Sequence, residues 1–104
     1  MGGPAGKVNP DAAPRLRLDK WLWQARFFKT RADAAALIGK GRVRVNGQRN
    51  AKPGHGIAVG DVLTFPQGDA VRLIRIVALG TRRGPFIEAQ ALYIDMDVAP
   101  SPLE

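Results

Sequence analysis

Eleven of the chain's 16 Lys and Arg side chains lie between Arg15 and Lys52, where only Asp19 and Asp33 oppose them. That stretch alone is +9, whereas residues 53–104 carry four basic and six acidic groups for −2 and residues 1–14 balance Lys7 against Asp11, so the overall +7 averages very unequal parts. Cations gathered in this way can replace the counterions around a polyanion and gain affinity from their release. Arg outnumbers Lys in the stretch, and a guanidinium can grip a phosphate through two parallel hydrogen bonds or stack on a base. The candidate contacts are Arg17, Lys20, Arg26, Lys29, Arg31, Lys40, Arg42, Arg44 and Lys52, with Asn46 and Trp23 available to meet a base or a 2′-hydroxyl. Lys20 and Arg26 lie about 120° apart if both belong to one helix, so only a subset can share a face.

Little else in the chain is reactive. Without cysteine there is no disulfide scaffold, no thiolate zinc site and no thiol nucleophile. The single histidine, His55, stands between Gly54 and Gly56 in what reads as an exposed loop, with no partner at a useful spacing. Asp19 and Asp33 are isolated among basic residues at helix starts, where ion pairing or the helix dipole accounts for them without acid–base work. There is no P-loop, no Gly-x-Gly-x-x-Gly and no carboxylate pair at a useful spacing. The 104 residues are too few for two lobes around a catalytic cleft. The expectation is a non-enzyme with no catalytic residue, metal, cofactor or small-molecule substrate. No run approaches the roughly 18 apolar residues of a membrane span, and the N-terminus lacks a secretory plan, so a cytoplasmic monomer is expected.

The elements that must position the basic residues can be read from periodicity. Leu18, Trp21, Leu22, Ala25 and Phe28 fall on one side at about 100° per residue, which predicts an amphipathic helix over 18–28 with Lys20, Trp23 and Phe27 on its far side. Thr30 is a natural N-cap for a second helix with Asp33 in its first turn, Ala34, Leu37 and Ile38 inward, small alanines for close packing, and Gly39 and Gly41 at its end. The start of that helix could help hold a phosphate. Strict alternation in Arg42-Val43-Arg44-Val45 predicts a strand that buries both valines and turns both arginines outward, and Asn46-Gly47 is a strong hairpin turn. Lys52-Pro53-Gly54 breaks the chain, and Ile57 to Phe65 reads as a turn at Gly60-Asp61 followed by a strand. Val71 to Leu79 reads as a central strand packed on both faces. Pro85 to Met96 fits either a strand or a helix, with a short helix preferred for Pro85 and Glu88 at its start. The Gly- and Pro-rich residues 1–14 predict a disordered leader, residues 15–98 a single domain, and 99–104 a flexible tail. The fold class is α+β: two packed helices followed by a small, mostly antiparallel sheet.

The spaced blocks Arg17-Leu18-Asp19-Lys20, Lys29-Thr30-Arg31, Gly41-x-Val43-x-Val45-Asn46-Gly47, Lys52-Pro53 and Val59-Gly60-Asp61 resemble the αL RNA-binding motif, the domain first named from the small-subunit ribosomal protein S-four. The likeness covers about residues 16–65. The unbroken string from Arg17 to Arg31, with the later Ala91-Leu92-Tyr93, is similar to the ribosome-associated heat-shock protein fifteen family. This resemblance implies two helices against a small sheet, structured ribosomal RNA bound on a basic face, and association with the free large ribosomal subunit during rescue of stalled peptidyl-tRNA. The heat-shock pattern continues into a long basic C-terminal extension, whereas residues 86–104 here carry only acidic charges. Two other readings stay open from the residues: a targeting domain for an RNA-modifying enzyme, and a general binder of DNA or other polyanions. Membrane-surface binding is the weakest, because the apolar helix faces are committed to the core.

Overall fold

The protein is described by a computed structural model over residues 13–96. The predicted tail, and the predicted leader apart from residues 13 and 14, lie outside the described residues. A two-residue strand β1 (Leu16–Arg17) runs straight into helix α1 (Leu18–Gln24), followed by α2 (Arg31–Gly39), β2 (Val43–Val45), β3 (Gln48–Asn50), β4 (Gly56–Ile57), β5 (Val62–Gln67), β6 (Ala70–Ile76), α3 (Phe86–Gln90) and β7 (Tyr93–Asp95). The strands form an antiparallel pair β1-β4 and a five-stranded antiparallel sheet of order β3-β2-β5-β6-β7. This is the expected α+β class, and among the described residues no helix is long and apolar enough to cross a membrane.

One core joins helices and sheet. Leu18, Trp21 and Leu22 of α1 and Ala34 and Ile38 of α2 pack with Val43, Val45, Leu63, Phe65, Ile74 and Ile76, all buried. α1 is further tied to the segment after β6, because the indole N–H of Trp21 donates to the Ala78 carbonyl at 2.9 Å and the buried Gln24 amide donates to that of Leu79 at 3.0 Å. Those bonds satisfy polar groups that would otherwise be costly inside the core.

The first helix ends four residues before the periodicity predicts. Ala25 is its C-cap, Arg26 takes the left-handed φ of 66°, and the N–H groups of Arg26 and Phe27 return to the Trp23 and Leu22 carbonyls at 3.1 Å each. That is a Schellman ending. The left-handed position, usually glycine, is an arginine whose Nε donates to the Gly84 carbonyl at 2.6 Å. The turn reverses the expected roles of the two phenylalanines: Phe27 is buried against Phe65 (centroids 5.2 Å apart) and Tyr93 (4.6 Å), while Phe28 is only partly covered. α2 behaves as predicted at its start, where Thr30 Oγ1 accepts from the Asp33 N–H at 3.0 Å. It ends in the same Schellman geometry, with Gly41 at φ 73° and its N–H on the Ile38 carbonyl.

β6 differs from a strand packed on both faces. Ile74 and Ile76 are buried, but Val71 on the opposite side is 57% exposed, because nothing among the described residues covers that face of the sheet. The ambiguous segment after Pro85 contains both alternatives in turn, a five-residue helix and a three-residue strand that pairs with β6.

Candidate nucleic-acid interface

The predicted basic residues separate into groups because α1 and α2 cover one face of the sheet while Arg42 and Arg44 project from the other. At the start of α1, Arg17 meets the buried Asp19 as a two-point fork, Nε to Oδ1 and Nη2 to Oδ2, both 3.0 Å. Arg31, at the start of α2, reaches the same carboxylate with Nη2 at 3.5 Å from Oδ1. Burial pushes the Asp19 carboxyl upward, but the hydrogen bond from Arg17 and the charges of Arg31 and Arg17 outweigh it, leaving the carboxyl below its ordinary range. The same hydrogen bond raises the Arg17 guanidinium. Asp19 therefore stays ionised and holds two guanidiniums, one from the residue that precedes α1 and one from the first residue of α2, at a common edge, while their side chains remain 55% and 42% exposed.

The segment Lys52–Gly56 closes on this edge. Its carbonyls at Pro53 and His55 accept from the Asp19 and Leu18 N–H groups at 3.1 and 2.8 Å. Arg17 lies over Gly54, where an added Cβ would come within 3.2 Å of its Nη1, and Arg15 Nη1 donates to the Gly56 carbonyl at 3.3 Å. Lys52 is exposed on this segment. His55, expected in an open loop, is half-buried, since its backbone holds the beginning of α1.

On the open sheet face Arg44 stands directly across from Arg49 of β3 and Thr64 of β5. Arg42 and Arg44 line a shallow depression of about 220 Å³ with Thr64 and Pro66. Arg49 packs its stem against Gly41, which ties this group to the end of α2, where Lys40 is exposed. Arg42, Arg44 and Arg49 form no ion pair among the described residues. Asn46 occupies the left-handed region at φ 53°, and both ends of its carboxamide are engaged: Nδ2 donates to Asp61 Oδ1 at 3.1 Å, and Oδ1 accepts from the Val62 N–H at 2.9 Å. It locks the hairpin turn onto β5. Lys20 is half-buried on α1, Lys29 is exposed in the turn between the helices, and Arg26 points toward the Gly84 loop. Trp23 is half-buried beneath Arg83, whose guanidinium lies 5.7 Å from the indole centroid.

Arg15 and Arg49 join these groups although sequence reasoning left them aside. For Arg49 the signal was present, because a two-residue Asn-Gly turn fixes the register that puts it opposite Arg44.

An S4 domain family model matches residues 16–63, the stretch that contains both arginine groups except Arg15. Heat shock protein 15 homolog of Haemophilus influenzae is 48% identical over 82 residues, covering 79% of this chain and 62% of its own length. The solved trimeric heat shock protein 15 of Vibrio cholerae superposes with a TM-score of 0.76 at 42% identity, over 81% of this chain and 84% of that one. The chain belongs to the heat shock protein 15 family. Within the heat shock protein 15 fold described above, the S4 part ends inside β5, and β6 and β7 complete the sheet beyond it with α3 between them in the chain. The RQC P-site tRNA stabilizing factor of Listeria monocytogenes is also similar, 39% identical over 67 residues that cover 64% of this chain and 72% of that protein. The present chain spans about three fifths of the length of the Haemophilus relative.

Proposed function

We propose that this chain is an RNA-binding module that recognises structured ribosomal RNA on the large ribosomal subunit and takes part in rescuing subunits with stalled peptidyl-tRNA. The observation that carries the reading is the unneutralised ladder of Arg42, Arg44 and Arg49 on an open sheet face, together with the separate edge where Asp19 presents Arg17 and Arg31. Exposed guanidiniums without carboxylate partners are suited to phosphate, and the fixed pair adds geometry to their charge. Family membership and the likeness to a factor named for a ribosomal tRNA site support the ribosomal destination. In this reading Lys20, Lys29, Lys40, Lys52 and Arg15 extend the cationic surface, Arg26 approaches RNA from the inter-helix turn, and Asn46 acts by setting the turn that aims Arg44. The free protein is expected to be a monomer in this reading, and sedimentation would test that against the trimeric Vibrio relative.

The test is equilibrium binding of the full chain to large subunits, small subunits and duplex DNA at two salt concentrations. With about five phosphates neutralised, log affinity should fall against log salt with a slope of roughly −3.5 to −4.5. The expected result is a preference for the large subunit that survives the higher salt. Equal, salt-labile binding to all three would reduce the function to general polyanion binding, and co-purification with a modifying enzyme would favour a targeting domain.

A further inference from the structure

A cleft of about 530 Å³ opens beside the α1–α2 turn, mostly outside the S4 stretch. Its walls include Arg26, Phe27, Arg72, Phe86, Gln90 and Tyr93. The size falls within the range of about 300–1,000 Å³ common for small-ligand sites. Its lining offers flat surfaces. Phe27 and Tyr93 have centroids 4.6 Å apart, and the Arg72 guanidinium lies 5.0 Å from the Phe27 centroid. Arg72 is fixed at its edge, with Nη1 donating to Gln67 Oε1 and Nη2 to Asp95 Oδ2, both at 2.8 Å. Gln67 is itself anchored, since its Nε2 donates to the Phe27 carbonyl at 2.6 Å. A guanidinium held by its edge, with one face on a ring, is prepared to receive another planar group by stacking. Phe86 adds an aromatic side chain that is 59% exposed.

We propose that this cleft receives one unpaired nucleobase of a bound RNA, stacked among Arg72, Tyr93 and Phe86, with the Gln90 amide available to its edge; the inference rests on the RNA-binding reading above. The position favours this occupant over an apolar peptide side chain. Two arginines and one carboxylate line the cleft, and the turn that forms one wall continues into the exposed Lys29. A phosphate chain lying along Arg26 and Lys29 would therefore bring an extruded base to the opening.

The test uses the full chain and two RNA hairpins with the same stem, one fully paired and one carrying a single bulged adenosine. Binding is read by anisotropy of an end label. The bulged hairpin should bind about tenfold more tightly, and Phe86→Ala should remove that advantage while leaving the paired hairpin and both salt slopes unchanged. The exposed Gln90→Ala variant should reduce the advantage about threefold, which keeps the test available if circular dichroism reveals that Phe86→Ala disturbs the fold. Equal, salt-dependent binding of both hairpins to the native chain would overturn the base site and leave RNA binding standing. Failure of either hairpin to compete with duplex DNA would instead remove the RNA reading and the base site with it. A Phe86→Ala effect on sedimentation without one on hairpin preference would assign the cleft to a protein contact and overturn the proposal.

Discussion

Arg17 and Arg31 reach solvent from either side of a buried carboxylate, whereas Arg42, Arg44 and Arg49 stand on an open sheet with no acidic side chain paired to them among the described residues. The first group gives up part of its charge to Asp19 and in return has its guanidiniums oriented before any ligand arrives. The second keeps its full charge and its rotamer freedom, which must be surrendered on binding. Preorganisation suits the recognition of a particular phosphate arrangement, and free charge suits affinity and encounter rate. The two groups should therefore respond differently to mutation, salt and acid.

The largest contrast is expected on the sheet face. Replacing Arg42, Arg44 and Arg49 together by Ala should weaken RNA binding about a hundredfold at moderate salt and make the salt slope shallower by about 2–3, measured by titration at several salt concentrations. The thermal midpoint should barely move, because these side chains are exposed and form no ion pair among the described residues. A large loss of stability would mean that the ladder is part of the fold's support.

Asp19→Asn should reverse that pattern. The buried position keeps its shape but loses the charge that draws Arg17 and Arg31 together, so chemical denaturation should register a loss of roughly 1–2 kcal/mol. RNA affinity should fall only a few-fold, with the salt slope unchanged or slightly steeper because two cations have been released. A substitution that strengthened RNA binding without loss of stability would remove the distinction between a positioned and a free group.

Acid offers the finest comparison. Folding lowers the Asp19 carboxyl from its ordinary 3.8, so its contribution is complete above that value and is lost as pH falls from 3.8 toward the lowered one. The native chain should lose thermal stability more steeply below about pH 4 than Asp19→Asn does, as read by scanning calorimetry. Parallel curves would show that the ion pair does not couple to folding.

How much of this could be read from residues alone depends on the range of the interactions. The Thr30 cap, the alternation about Val43 and Val45 and the Asn46-Gly47 turn are set within a few neighbours, and each was legible. So was the outward direction of Arg42 and Arg44. The end of α1 was not, because Arg26 occupies a position where glycine is the usual signal, and Phe27 finds its partners at Phe65 and Tyr93, far along the chain. The meeting of Arg17 and Arg31 at Asp19 likewise needs two helices to pack first. Local pattern could place each arginine on its element but could not say which would share a carboxylate. The open face of β6 is not legible for a related reason: an apolar run does not state how many layers cover it.

The segment from Val77 to Gly84 contains no helix or strand, yet its carbonyls at Ala78, Leu79 and Gly84 accept from Trp21, Gln24 and Arg26, while Arg83 donates back to Trp23. Four successive contacts along the first helix and its ending thus depend on a stretch that begins well past residue 63, where the matched family model stops. The stretch that the family model matches and the unit that must cooperate to fold are not the same length. Grafting the shorter one onto another protein would carry the arginines but leave the helix that aims them without its far clasp.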